Sequence, residues 1–163
     1  MKTKKLISLL LSAILLIGIL PATSLAAGET LFTDIKMSDW FYDGVQYACE
    51  RGMMNGTGNG RFSPNETTTR GMIVTILHRL EGAPTANGTT FSDVPIGKWY
   101  TDAVGWASST GIINGYGNGK LGPEDTITRE QMAAILLHYA NYKGYDVSAS
   151  TSLSKYTDSA QIS

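Results

Sequence analysis

Apolar and small side chains recur with a helical period in four places along the chain, and the four fall into two matching pairs. Positions 41, 44, 45 and 48, and again 100, 103, 104 and 107, predict a first helix over 40–51 and over 99–110. Gly52 and Gly111 follow where a glycine would stop each helix. Ile73, Ile76, Leu77 and Leu80, then Met132, Ile135, Leu136 and Tyr139, repeat at i, i+3, i+4 and i+7 and predict a second helix in each half. Those helices start at Thr69-Arg70 and Thr128-Arg129. Thr128 with Gln131 fits a reciprocal capping box, whereas Thr69 with Met72 has the cap without the return bond. Between the helices run Asn55-Gly56-Thr57-Gly58-Asn59-Gly60 and Asn114-Gly115-Tyr116-Gly117-Asn118-Gly119, which favour tight reversals and predict an ordered loop with a short β-like pair near Phe62 or Leu121.

These pairs belong to one duplication. Residues 32–81 overlay residues 91–140 without a gap, at a constant offset of 59, and about eighteen of the fifty paired positions are identical. Each copy opens on an aromatic-Thr/Ser-Asp triplet, Phe32-Thr33-Asp34 or Phe91-Ser92-Asp93, and carries a tryptophan, Trp40 or Trp99, at the predicted helix start. Residues 82–90 and 144–154 read as linkers. Tyr156-Thr157-Asp158 then repeats the opening triplet, so a third copy is expected to begin and to be truncated at Ser163. The expected organisation is a leader over 1–26, repeat 1 over 28–86, repeat 2 over 87–148, and a linker with the start of a third repeat over 149–163.

The leader expectation comes from Lys2, Lys4 and Lys5, the apolar run from Leu6 to Leu20, helix-breaking Pro21, and small residues Ser24 and Ala26 before a cleavage point after about Ala26. The run is short for a membrane span of about 20 residues. The mature protein is therefore expected outside the cell and free of the membrane. Cleavage leaves ten basic against fourteen acidic residues, a net charge near −4, which argues against nucleic acid as a partner. Cys49 is the only cysteine and faces Ser108 in the second copy, so it reads as a small packed residue, with no disulfide within the chain.

An arginine one residue into a helix is locally unfavourable by about 0.3–1 kcal/mol, because the helix end already carries partial positive charge. Arg70 and Arg129 both stand there. An anion beside the helix end would account for them, and a planar carboxylate matches the guanidinium fork. An ion pair stapling the repeats, with Asp34 or a neighbouring aspartate, accounts for them equally well. Trp40 and Trp99 could present indole faces to sugar C–H groups or anchor a core. The Asn-Gly loops, at Gly56 and Gly115, could offer backbone groups to hydroxyls or serve as turns alone. The glycine run lacks the βαβ context of a dinucleotide fingerprint. His78 and His138 occupy non-equivalent positions, so no shared metal or catalytic role is expected and both read as solvated. No repeated nucleophile–base or carboxylate pair has catalytic spacing, and no cofactor is expected.

The ordered set of Phe-x-Asp, Trp-Phe/Tyr, Asn-Gly with Gly-x-Gly, Phe/Leu-x-Pro and Thr-Arg resembles the S-layer homology (SLH) domain, over nearly the whole mature chain. The resemblance implies an all-α fold of tandem helix–loop–helix repeats forming an incomplete pseudo-threefold bundle. It also implies a non-enzymatic wall anchor at the bacterial cell surface. The partner it implies is an anionic, pyruvate-bearing secondary cell-wall polysaccharide associated with peptidoglycan, held between repeats by Arg70, Arg129, Asp34, Asp93, Trp40, Trp99, Gly56 and Gly115. Both copies keep the Thr-Arg of the family's Thr-Arg-Ala-Glu motif and lose its Ala-Glu. The alternative is a self-assembling unit of a surface layer, with other layer subunits as partners and the arginines in inter-repeat ion pairs.

Overall fold

The computed structural model describes residues 31–86 and 88–159, so the leader over 1–26 lies outside the described residues. The described residues hold four helices and no strand: α1 (Tyr42–Glu50), α2 (Arg70–Leu80), α3 (Thr101–Ser109) and α4 (Arg129–Tyr142). The fold is all-α, as expected, and no helix among the described residues is long and apolar enough to cross a membrane. The β-like pairing is reduced to two isolated bridges, Gly58 with Arg61 and Thr69 with Thr126. Only the first lies in a loop near Phe62; the second joins the two repeats.

The helix ends follow the sequence closely. Thr69 accepts from the Met72 N–H alone, while Thr128 and Gln131 form the full capping box. Gly52 and Gly111 stop α1 and α3 at φ of 66° and 74°, a region that costs glycine nothing. The first helix of each copy starts two residues later than its apolar pattern predicts. Trp40 and Trp99 lie in the turn before it, packed edge-on against Phe41 and Tyr100.

Burial is uneven between the copies. The core is built around repeat 2, from Val94, Tyr100, Ala103, Val104, Trp106, Ala107, Ile112, Ile113, Leu121 and Ile135, and repeat 1 adds Val74 and Leu77 of α2. In repeat 1 itself, Ile35 and Val45 are the other buried apolar residues, and Phe32 packs on Phe62 with ring centroids 5.4 Å apart. Helix α2 packs against α3. Its buried face is Arg70, Gly71, Val74, Thr75, Leu77 and His78. That is not the stripe the apolar period marks, since Ile73 and Ile76 are half-buried and Leu80 is 51% exposed. The face that α2 buries is the one richer in polar residues.

His78 corrects the expectation of a solvated histidine. It is 7% exposed, tilted against the Trp106 ring at 5.4 Å, and its Nε2 lies 2.8 Å from the Pro84 carbonyl, to which it donates. His138 is half-buried, and its Nδ1 lies 3.2 Å from the Ile112 carbonyl oxygen. Its counterpart by the 59-residue offset is Arg79, whose Nη1 donates to the counterpart carbonyl, Met53, at 3.4 Å. The two side chains make the same tie within their repeats. Cys49 is half-buried, and burial pushes its thiol above the usual value.

Candidate functional site

Each repeat folds its opening triplet onto its own glycine loop. Asp34 accepts from the N–H groups of Phe62 and Ser63, both at 2.8 Å, and Asp93 accepts from Leu121 and Gly122 at 2.9 and 2.8 Å. Thr33 and Ser92 donate their N–H to Gly60 and Gly119 at 2.8 and 3.0 Å. The Phe62 N–H holds the Asp34 carboxyl below its ordinary value, aided by Ser63 and by Arg61 at 3.4 Å. Burial alone would raise Asp93, but the N–H groups of Leu121 and Gly122 outweigh it and its value is also lowered. The two carboxylates thus act as loop anchors. Neither meets Arg70.

Gly56 and Gly115 are sites of close approach, and what approaches is protein. A Cβ at Gly56 would lie 2.5 Å from both the Phe32 ring and the Arg61 carbonyl, and one at Gly115 would lie 2.5 Å from Phe91 and 2.6 Å from the Lys120 carbonyl. Glycine is required there so that the aromatic ring of the opening triplet can lie under the loop.

The two arginines part company. Arg70 is 5% exposed and reaches into repeat 2, where its Nε donates to the Leu121 carbonyl at 2.9 Å and its Nη2 to the Asn114 carbonyl at 2.8 Å. Its guanidinium carbon sits 4.7 Å from the centre of the Tyr116 ring. The helix end docks with it: the Arg70 N–H donates to Asp125 at 2.9 Å, Gly71 N–H to Pro123 at 2.8 Å, and Ile127 N–H to Thr68 at 3.1 Å. Carbonyl oxygens therefore supply the negative partners that a cation at a helix start needs, each such bond worth about 1.5–3 kcal/mol. The side chain of Arg129, its equivalent, is exposed and has no hydrogen bond or ion pair among the described residues.

The tryptophans stand clear of the core, Trp40 at 93% exposure and Trp99 at 52%. Trp99 forms one rim of a groove of about 580 Å³ that lies between the repeats. The loop of repeat 1 lines it with Asn55, Gly56 and Thr57, α2 with Thr75 and Arg79, and repeat 2 with Trp99 and Glu124. The structure thus brings Trp99 and Gly56 to one groove and leaves Arg70, Arg129, Trp40, Asp34, Asp93 and Gly115 off its lining. Arg79 is the groove cation that sequence reasoning missed; its only signal was the equivalence with His138. At the far end of the joint, Tyr139 donates its hydroxyl to Glu81, and Lys143 pairs with the same carboxylate at 3.0 Å. The Tyr139 bond, then Lys143, hold Glu81 below the usual carboxylate range.

The sequence profile of the S-layer homology domain matches residues 31–71 and 90–133, more than half of the chain. The chain is 34% identical over 141 residues to an amylopullulanase of Thermoanaerobacterium thermosulfurigenes, covering 83% of this chain and 7% of that protein. It is 30% identical over 135 residues to an endoglucanase of a Bacillus species, covering 81% and 14%. An S-layer protein of Bacillus licheniformis is 25% identical over 142 residues, covering 86% and 16%. The chain therefore spans a small part of the length of the curated relatives it matches.

Proposed function

The chain belongs to the S-layer homology domain family, and on that premise we propose that it anchors a protein to the bacterial wall by holding an anionic secondary polysaccharide in the groove between its repeats. The coarse role is that of the family: a non-catalytic module of exported cell-surface proteins. The finer reading rests on one observation, the pairing of the Trp99 indole with Arg79 and a row of hydroxyl groups along a single groove. An indole face covers the apolar C–H side of a sugar ring. Thr57, Ser63, Thr67 and Thr68 line the groove with donors and acceptors for sugar hydroxyls. Arg79 supplies the planar fork that a pyruvate-type carboxylate takes up, and exposed Trp40 and Arg129 extend the contact along a longer polymer.

In this reading Arg70, Asp34, Asp93, Gly56 and Gly115 are positioning residues: the first fixes repeat 1 on repeat 2, and the others shape the loops. Residues 28–86 and 87–148 are the two repeats, and 149–163 carries a linker and a third opening triplet, in which Ser159 N–H donates to Tyr156 as Val94 N–H does to Phe91. Cosedimentation with purified wall sacculi, before and after extraction of the secondary polymer, tests the proposal. Binding should be lost on stripped walls and reduced about tenfold or more by Trp99→Ala or Arg79→Ala with helicity unchanged. Equal binding to stripped and intact walls overturns it. The reading of the arginines as structural is favoured for Arg70 by its carbonyl bonds, and it predicts that Arg70→Ala lowers stability rather than wall affinity alone.

A further inference from the structure

Among the described residues, three charged side chains line the groove between the repeats: Arg79 of α2, Glu66 of repeat 1 and Glu124 of repeat 2. Their sum is one negative charge, and Arg79 is already drawn toward the Met53 carbonyl. A ligand that carried carboxylates alone would meet more repulsion than attraction there. The groove therefore matches a ligand with a positive group as well as a negative one.

A buried tyrosine places Glu124 for that positive group. Tyr100 is 3% exposed, and its ring packs edge-on against Trp99 with centroids 5.0 Å apart. Its hydroxyl donates to the Glu124 carboxylate. Burial first, then the charge of Glu124 and this bond, push the hydroxyl above its ordinary value, so it stays a donor. One side chain thus orients both groups that repeat 2 gives to the groove, an indole and a carboxylate. In repeat 1, Phe41 and Asn65 stand at the positions of Tyr100 and Glu124. That copy has the same edge-on tryptophan, Trp40, with neither the hydroxyl nor the charge. The hydroxyl and the carboxylate occur together, in the copy whose tryptophan lines the groove.

An indole beside a carboxylate suits an ammonium group, because the ring quadrupole attracts the cation and the carboxylate accepts its N–H. We infer that the repeat 2 wall of the groove selects a primary ammonium on the bound glycan, that of an unacetylated hexosamine, through Glu124 and Trp99. This rests on the reading of the groove as the polysaccharide site, and it adds a cationic sugar to the carboxylate assigned to Arg79. Acetylation of the sugar nitrogen removes its charge and leaves a single N–H, so the same wall discriminates against the acetylated sugar. Tyr100 is a positioning residue in this scheme: it fixes the carboxylate and touches no ligand.

Cosedimentation with wall sacculi before and after N-acetylation by acetic anhydride tests this. Acetylation should weaken binding of the wild type about tenfold or more. Glu124→Gln keeps an acceptor for the Tyr100 hydroxyl and removes the charge, and it should bind treated and untreated sacculi within about twofold of each other. Tyr100→Phe, which gives repeat 2 the phenylalanine of repeat 1, should shrink the ratio between the two sacculi, a readout that a loss of stability alone would not move. In competition, glucosamine tetrasaccharide should displace the wild type from untreated sacculi at about tenfold lower concentration than N-acetylglucosamine tetrasaccharide. Equal binding of the wild type to treated and untreated sacculi overturns the proposal, as does a preference that survives Glu124→Gln. If binding persists on acetylated sacculi and is lost on sacculi stripped of the secondary polymer, the anchoring role stands and the ammonium site falls.

Discussion

Arg70 and Arg129 stand at the same position of the same motif, one residue after a capping threonine, and one is buried in backbone carbonyls while the other lies in water. The same holds for the helices that carry them. Six residues of α2 are buried and one of α4, although α4 is three residues longer and carries apolar residues at the same four repeat positions. The difference teaches that in a repeat protein the local sequence specifies a unit with two sides. Whether a side is core or surface depends on having a neighbour.

The largest effect that would break this comparison is on the arginines. Arg70→Ala removes two charge-assisted bonds and leaves two carbonyls unpaired under the joint, and should lower stability by about 3–5 kcal/mol in urea unfolding. Arg129→Ala should change it by less than about 0.5 kcal/mol in dilute solution. Comparable losses would mean that Arg129 has a partner of its own. Next come the leucines at one repeat position. Leu77→Ala, at 5% exposure, should cost about 2–4 kcal/mol, against less than about 1 kcal/mol for Leu136→Ala at 46%.

A smaller effect sharpens the contrast at the helix start. Gly71→Ala places a methyl 2.8 Å from the Pro123 carbonyl and should cost about 1–2 kcal/mol, although alanine favours the helix. A gain in stability would show that the joint yields easily.

The smallest effect is on acid stability. Asp34, Asp93 and Glu81 all have folded values below their ordinary ones, so the stability they contribute is present above the usual carboxylate range and is lost as pH falls through the folded values. Glu81→Gln should flatten the decline of the urea midpoint between about pH 6 and about pH 2, and Asp93→Asn should do so while also loosening the repeat 2 loop. An unchanged acid limb in both variants would move its cause elsewhere.

Much of this was legible in the residues. The capping threonines and the stop glycines are local, since the hydrogen bonds they make lie within a few residues, and α2 and α4 begin where Thr69 and Thr128 place them. The tryptophans were harder to read. An indole at a helix start fits a core or a rim equally well, and only the turn before α3 turns Trp99 outward to the groove. His78 misled because burial there comes from Trp106 and Pro84, neither of which its helical period can register. The docking face of α2 was hidden for the same reason: Arg70, Gly71, Thr75 and His78 carry no apolar signal, and they are buried by shape and by carbonyl bonds.

By itself the sequence determined the duplication, the four helices with their caps, and the family. It placed two identical Thr-Arg helix starts and could not tell them apart, because a hydrogen bond from Arg70 to Asn114 spans 44 residues and depends on which repeat lies alongside. Tertiary structure decided that one arginine closes a joint, that Asp34 and Asp93 hold loops, and that Trp99 and Arg79 share a groove. Helix formation is governed by neighbours along the chain, whereas burial is governed by neighbours in space.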